Sequence, residues 1–167
     1  MIIVIMGVSG SGKTTVGREL GASLRWDFSD ADEFHSPANV EKMKSGVPLT
    51  DEDREPWLRS IRNAIERWER DEPGHILACS ALKKCYREML GRNDPEVKFV
   101  YLHGGFDLIS ERLKSRKSHF FNPALLRSQF EALEDPEDAL VVDVSKEPHE
   151  IVSQILDALA PSKKEKG

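Results

Sequence analysis

Gly7-Val8-Ser9-Gly10-Ser11-Gly12-Lys13-Thr14 stands directly behind the apolar run Met1-Ile2-Ile3-Val4-Ile5-Met6. A short, continuous apolar run suits a strand buried on both faces, Ile2–Met6, and the glycines behind it suit a sharp turn. Beyond the turn, residues 14–24 carry a helical pattern. Strand, glycine-rich turn and helix together make the first unit of a parallel sheet with crossover helices.

The rest of the chain repeats that alternation. Further strands are expected at 26–29, 75–79, 98–102 and 140–144. Helical spacing joins Trp57, Leu58, Ile61, Ala64, Ile65 and Trp68 into one apolar face, and Trp57 and Trp68 are expected in the core. Phe106, Ile109 and Leu113 suggest another helix, and Ile151, Val152, Ile155, Leu156 and Leu159 mark the last. The expected fold is α/β, with a five-stranded parallel sheet. At 167 residues the chain suits a single domain over 1–160, followed by a frayed, lysine-bearing tail over 161–167.

Composition narrows the functions that fit. A chain that is 39% hydrophobic and 32% charged suits an ordinary globule. A net charge of -5 provides no general positive field for nucleic acid or an anionic membrane, so any bound anion must be gripped locally. No stretch approaches the roughly eighteen apolar residues of a membrane span. The N-terminal run lacks the basic leader of a signal peptide, and a cytoplasmic location is expected. Cys79 and Cys85 form no CxxC pair and suit packing in a reducing compartment.

Gly7-x-x-x-x-Gly12-Lys13-Thr14 satisfies the phosphate-loop pattern, with the strand before and helix after that the pattern requires. Glycines let successive backbone N–H groups turn inward around a phosphate, and the following helix adds its N-terminal dipole. Gly7, Val8, Ser9, Gly10, Ser11, Gly12, Lys13 and Thr14 are therefore expected to cradle ATP. Lys13 supplies charge to the β and γ phosphates, and the Thr14 hydroxyl is a candidate Mg²⁺ ligand. No Asn-Lys-x-Asp guanine signature is present, and the third strand ends Ala78-Cys79-Ser80 where many ATPases place an aspartate. A phosphotransferase acting on a small molecule fits best.

The missing acid has a substitute after the second strand, in Asp30-Ala31-Asp32-Glu33-Phe34-His35. Ligands bind at the C-terminal edge of such sheets, and alternate positions of an extended segment would aim Asp30 and Asp32 at one cleft. Asp30 is assigned to the metal hydration shell and Asp32 to the acceptor hydroxyl, as its anchor or base; the residues also allow the reverse. Thr50 and Asp53 have capping-box spacing, and Pro56 suits a first helical turn. Arg54, which capping does not explain, suits a fork for a substrate carboxylate.

Ser80-Ala81-Leu82-Lys83-Lys84-Cys85-Tyr86-Arg87 also opens at the binding edge. Ser80, Lys83 and Arg87, the last two one turn apart, are expected to face a polar substrate, and Lys84 and Tyr86 to lie on the surface. Arg112 and Arg116, four apart, are expected to share a helix face leading into a lid over about 114–123 that closes on the triphosphate. His75, His103 and His149 have no ligand-spaced partners.

Taken together, Asp30-x-Asp32-x-x-His35, Asn39-x-x-Lys42-Met43-x-x-Gly46-x-Pro48-Leu49-x-Asp51-x-Asp53-Arg54-x-Pro56-Trp57-Leu58, Cys79-Ser80-Ala81-Leu82-Lys83-Lys84-x-Tyr86-Arg87 and Arg112-Leu113-x-x-Arg116-x-x-His119-Phe120-Phe121 resemble the short P-loop gluconokinases. Ser128-Gln129-Phe130-x-x-Leu133-Glu134-x-Pro136 and Val141-Val142-Asp143 extend the likeness across nearly the whole chain. The resemblance implies a three-layer P-loop kinase fold with a small helical lid, related to adenylate and shikimate kinases. It further implies ATP-dependent phosphorylation of D-gluconate at its 6-hydroxyl, with Mg²⁺ and commonly as a homodimer. Residue by residue it places Gly10 to Thr15 at the phosphates, with Thr15 closing that set. It places Arg112 and Arg116 in the lid, and Asp32, His35, Arg54, Ser80 and Lys83 around the sugar acid. Ser36-Pro37, in place of a proline directly after His35, and His103-Gly104-Gly105 depart from the family pattern. The alternatives are a related kinase of shikimate or a nucleoside monophosphate, and a non-catalytic nucleotide switch.

Overall fold

The computed structural model describes residues 1–91, 93–116 and 122–160. The tail at 161–167 and the lid residues 117–121 lie outside them. Five strands form one parallel sheet: β1 (Ile2–Met6), β2 (Asp27–Asp30), β3 (His75–Ala78), β4 (Val97–His103) and β5 (Leu140–Asp143). Their order is β2-β3-β1-β4-β5, so β1 is central. The chain runs outward from β1 to one edge and then crosses to the other, which opens a crevice at the C-terminal ends of the strands.

Every residue of β1 is buried. Ile2, Val4 and Met6 pack on one face with Leu58, Ile61 and Ile65 of α3 (Asp51–Asp71) and Leu90 of α4 (Lys84–Leu90). Ile3 and Ile5 pack on the other with Val16 and Leu20 of α1 (Lys13–Leu24) and Ile151 and Ile155 of α7 (Pro148–Leu159). This two-sided burial makes the three-layer α/β/α arrangement. Trp57 and Trp68 belong to the first core, as expected.

Three further helices position the site: α2 (Pro37–Lys44), α5 (Phe106–Ser115) and α6 (Pro123–Ala132). The departure at Ser36-Pro37 has a local cause. Ser36 caps α2 by accepting from the Asn39 N–H at 3.2 Å, and Pro37 sits in the first turn, where its missing N–H costs nothing. The capping box of α3 forms as expected: Thr50 Oγ1 accepts from the Asp53 N–H at 3.1 Å and Asp53 Oδ2 from the Thr50 N–H at 3.0 Å. Pro56 stands six residues into α3, in the second turn rather than the first.

Candidate active site

The turn after β1 runs into α1 through two glycines in the left-handed region, Gly10 at φ 78° and Gly12 at φ 97°. A Cβ on Gly10 would also meet Leu113 Cγ at 2.7 Å, so this bend packs against α5. The Lys13 ammonium folds back over the loop and donates to the carbonyls of Gly7 and Val8 at 3.0 Å each. Burial pushes its pKa below the ordinary lysine value, opposed by Asp32, Cys79 and Asp30. Ser9, Gly10, Gly12, Lys13, Thr14 and Thr15 face a cavity of about 370 Å³. Gly7, Val8 and Ser11 of the expected set are not part of its lining; Val8 and Ser11 are buried behind it.

The acidic edge is built differently from the sequence expectation. Asp30 ends β2, but its Oδ1 accepts from the Asp32 N–H at 3.0 Å and caps a 3₁₀ turn over Ala31–Phe34. The segment is therefore curled, not extended, and the two carboxylates reach the cavity from a capped turn. Thr14 Oγ1 donates to Asp30 Oδ2 at 3.4 Å, bringing a hydroxyl and a carboxylate oxygen together beside the phosphate loop. Burial raises the Asp32 pKa and the Asp30 charge raises it further, against the pull of His35 and Lys13.

Across the cavity stand His35, Arg54 and Trp57, with Ser80 two residues beyond β3. The His35 ring stacks on Trp57, centroids 4.3 Å apart and planes within 9°. Its Nδ1 lies 3.5 Å from Asn39 Nδ2, which also donates to the Asp53 carbonyl at 2.8 Å. Burial lowers the His35 pKa, outweighing Asp32, and Arg54 adds to the effect, so the imidazole is neutral near pH 7. The Lys42–Asp53 pair at 2.9 Å ties α2 to the start of α3, which carries Arg54. Met43, Val47, Pro48 and Leu49 supply an apolar wall.

Four expectations need correction. Arg87 is 3% exposed, and its guanidinium donates to the carbonyls of Ala81 (2.8 Å), Leu82 (3.0 Å) and Glu134 (2.9 Å); it faces the protein, not a substrate. Lys83 is outside the cavity lining and pairs with Asp51 at 3.0 Å. Arg112 and Arg116 do not share a face, because α5 ends at Ser115 and Arg116 is in extended backbone. Arg116 reaches the cavity, whereas Arg112 donates to the Val144 carbonyl. Tyr86 is buried rather than on the surface. Cys85 is exposed; Cys79 is buried with its thiol pushed up to about 12 by burial, so it stays protonated and packs.

Sequence reasoning assigned no role to Leu125, Ser128 and Gln129 of α6, all of which line the cavity. The Gln129 side chain bonds both the Ser9 N–H and the Ser9 hydroxyl. Its only signal was membership of the Ser128-Gln129-Phe130 block. Among the described residues no cluster of three or more His, Cys, Asp or Glu could hold a metal by itself. No helix among them is long and apolar enough to cross a membrane.

The family model for shikimate kinase matches residues 9–160, which contain the phosphate loop from Ser9 onward and both walls of the cavity. A probable gluconokinase of Dictyostelium discoideum is 48% identical over 172 aligned residues, covering 95% of this chain and 86% of that protein. The thermoresistant gluconokinase of Escherichia coli K12 is 43% identical, covering 97% of this chain and 95% of its own. The chain belongs to the gluconokinases. A crystal structure of a gluconokinase from Sinorhizobium meliloti 1021 superimposes with a TM-score of 0.85 at 42% identity, covering 95% of this chain and 90% of the other. The likeness to that gluconokinase thus covers nearly the whole chain. ATP is the family's phosphoryl donor, and the acceptor side of the cavity is where gluconokinases and shikimate kinases must differ.

Proposed function

We propose that this cavity transfers the γ-phosphoryl group of ATP directly to the 6-hydroxyl of D-gluconate, giving 6-phospho-D-gluconate and ADP. The observation that carries the reading is the position of Arg54. It faces the same cavity as Lys13 and Asp32 from the α3 side, where a planar cation suits the carboxylate of a sugar acid. Shikimate also carries a carboxylate and a nucleoside monophosphate a phosphate. A linear polyol acid, however, fits the row of short polar groups at Asp32, His35 and Ser80 between the two ends.

In this reading the loop amides and Lys13 hold the β and γ phosphates. Asp32 accepts the proton of the 6-hydroxyl as its oxygen bonds to the γ-phosphorus. The bond to the β–γ bridging oxygen breaks in line, and ADP departs with that electron pair. A carboxylate with a raised pKa is better matched to this proton than an ordinary one. His35, neutral and fixed against Trp57, orients a hydroxyl, and Arg116 offsets charge on the transferring group. The Thr14 hydroxyl and Asp30 carboxylate suit Mg²⁺, a hard cation that keeps several waters and needs few protein oxygens. Bound there, Mg²⁺ would neutralise charge on the phosphate oxygens.

The family likeness also supports a homodimer, which sedimentation would show as twice the 18.9 kDa chain mass. The use of ATP and the two free thiols suit the cytoplasm. The decisive test is a coupled ADP-release assay offering gluconate, shikimate, AMP and glucitol. Turnover with gluconate alone is expected, with Arg54→Ala raising the gluconate KM at least about tenfold. Equal turnover of glucitol, which lacks the carboxylate, would overturn the assignment of Arg54; silence with gluconate would overturn the reaction.

A further inference from the structure

Tyr86 sits on α4 between two exposed positions and Arg87, yet it is only 6% exposed. Its hydroxyl is used in both directions: it accepts from Arg54 Nη1 at 3.0 Å and donates to Asp51 Oδ1. The guanidinium also lies over the phenol ring, 5.5 Å from its centre. Asp51 is held from another side by Lys83, whose ammonium is 3.0 and 3.3 Å from the two carboxylate oxygens. Among the described residues, the Tyr86 hydroxyl is the only hydrogen-bond partner of the Arg54 guanidinium.

We propose that Tyr86 is the positioning residue of the acceptor site, aiming the Arg54 guanidinium into the cavity and keeping it from pairing with Asp51. The inference rests on the reading of Arg54 as the fork for the substrate carboxylate. A carboxylate bound directly to Arg54 would take two of its donors in parallel and neutralise it, and an incoming acid would have to break that pair. A phenol occupies one donor without cancelling the charge. The remaining donors stay available, and ring packing holds the group in its plane. The bonds from Tyr86 and Lys83 keep the Asp51 carboxyl below its usual pKa, so the acid being kept apart is ionised throughout the working range. Lys83, expected at the substrate, instead occupies the carboxylate that would otherwise compete for Arg54.

Tyr86→Phe keeps the ring and removes only the hydroxyl. With it gone, only Lys83 is left to hold Asp51 away from Arg54. Steady-state kinetics of the full chain should show the gluconate KM raised about tenfold, with kcat and the ATP KM within about twofold. Adding Asp51→Asn to Tyr86→Phe should recover about threefold or more of that loss, because the competing charge is removed; a merely structural role for Tyr86 would not yield to a second lesion. The inference falls if Arg54→Ala raises the gluconate KM while Tyr86→Phe leaves it within twofold. It also falls if the double variant recovers nothing. If Arg54→Ala itself leaves the gluconate KM unchanged, the reading of Arg54 fails first, and the inference with it.

Discussion

The side-chain amide of Gln129 closes on Ser9 at two points: its oxygen takes the Ser9 N–H at 2.7 Å and its nitrogen donates to the Ser9 hydroxyl at 2.9 Å. The partners are 120 residues apart, and the contact fastens α6 to the phosphate loop. Glycine-rich loops lose much conformational entropy on ordering, and a bidentate clasp meets part of that cost before any ligand arrives. Gln129→Leu should therefore raise the KM for ATP about three- to tenfold, with a smaller change for gluconate. A fall in the ATP KM would instead mean that the amide competes with phosphate for the Ser9 N–H.

Asp32 should separate activity from stability. Asp32→Asn is expected to lower kcat by about 10²–10⁴ while leaving ATP binding in place. Because folding raises the Asp32 pKa, its ionised form is disfavoured in the fold. The native state thus loses stability as pH rises through the raised value, and nothing is lost below the unfolded value, where both states are protonated. The variant should melt about 1–3 °C higher than the parent at pH 7, with the gap closing as the pH drops below the Asp32 pKa. In the parent, kcat should decline on the acid side at a pH above the usual carboxylate range.

Gly10 is constrained twice, by φ 78° and by Leu113 at 2.7 Å from where a Cβ would stand. Gly10→Ala should cost about 1–3 kcal/mol and lower Tm by several degrees. Gly46 has a similar φ of 74° but no atom within 4 Å of its Cβ position. Gly46→Ala should cost only the backbone term, about 1 kcal/mol. Paired thermal melts decide whether the packing of α5 on the loop adds to the strain.

Arg116 should act on rate. It faces the cavity close enough to Lys13 for its charge to lower the lysine pKa, which places the two cations around one anionic space. Arg116→Ala is expected to reduce kcat about 10–10³-fold with little change in the gluconate KM. Arg112→Ala, whose partner is the Val144 carbonyl, should show its effect in thermal stability first.

The sheet was legible because parallel strands buried on both faces leave short apolar blocks, of which Ile2–Met6 is the clearest. Helices α2, α4 and α6 were not predicted as elements. α2 buries only Asn39 and shows no apolar stripe, and the stripe of α6, Leu126 with the half-buried Phe130 and Ala132, is short. The signals they do carry are at their starts, Ser36-Pro37 and Asn122-Pro123, where a capping side chain precedes a proline. The phosphate loop and the Asp32, His35, Arg54 wall were readable from residue type and order. The roles of Arg87 and Lys83 were not, because a cation at a sheet's binding edge has the same letter whether it meets a ligand, a carbonyl or an aspartate. Likewise, a one-residue cap by Asp30 turned an apparent alternation into a 3₁₀ turn.

The sheet order separates the two halves of the cavity along the chain. The nucleotide grip is laid down by the first turn, off the central strand, while His35, Met43, Val47, Leu49, Arg54 and Trp57 all belong to the connection between the edge strand β2 and its neighbour β3. The part of that connection ahead of the buried face of α3 can be rewritten while Trp57, Leu58, Ile61 and Ile65 keep their places in the core. In this chain a change of acceptor is therefore largely a matter of redrafting one excursion, with the first turn left as it stands.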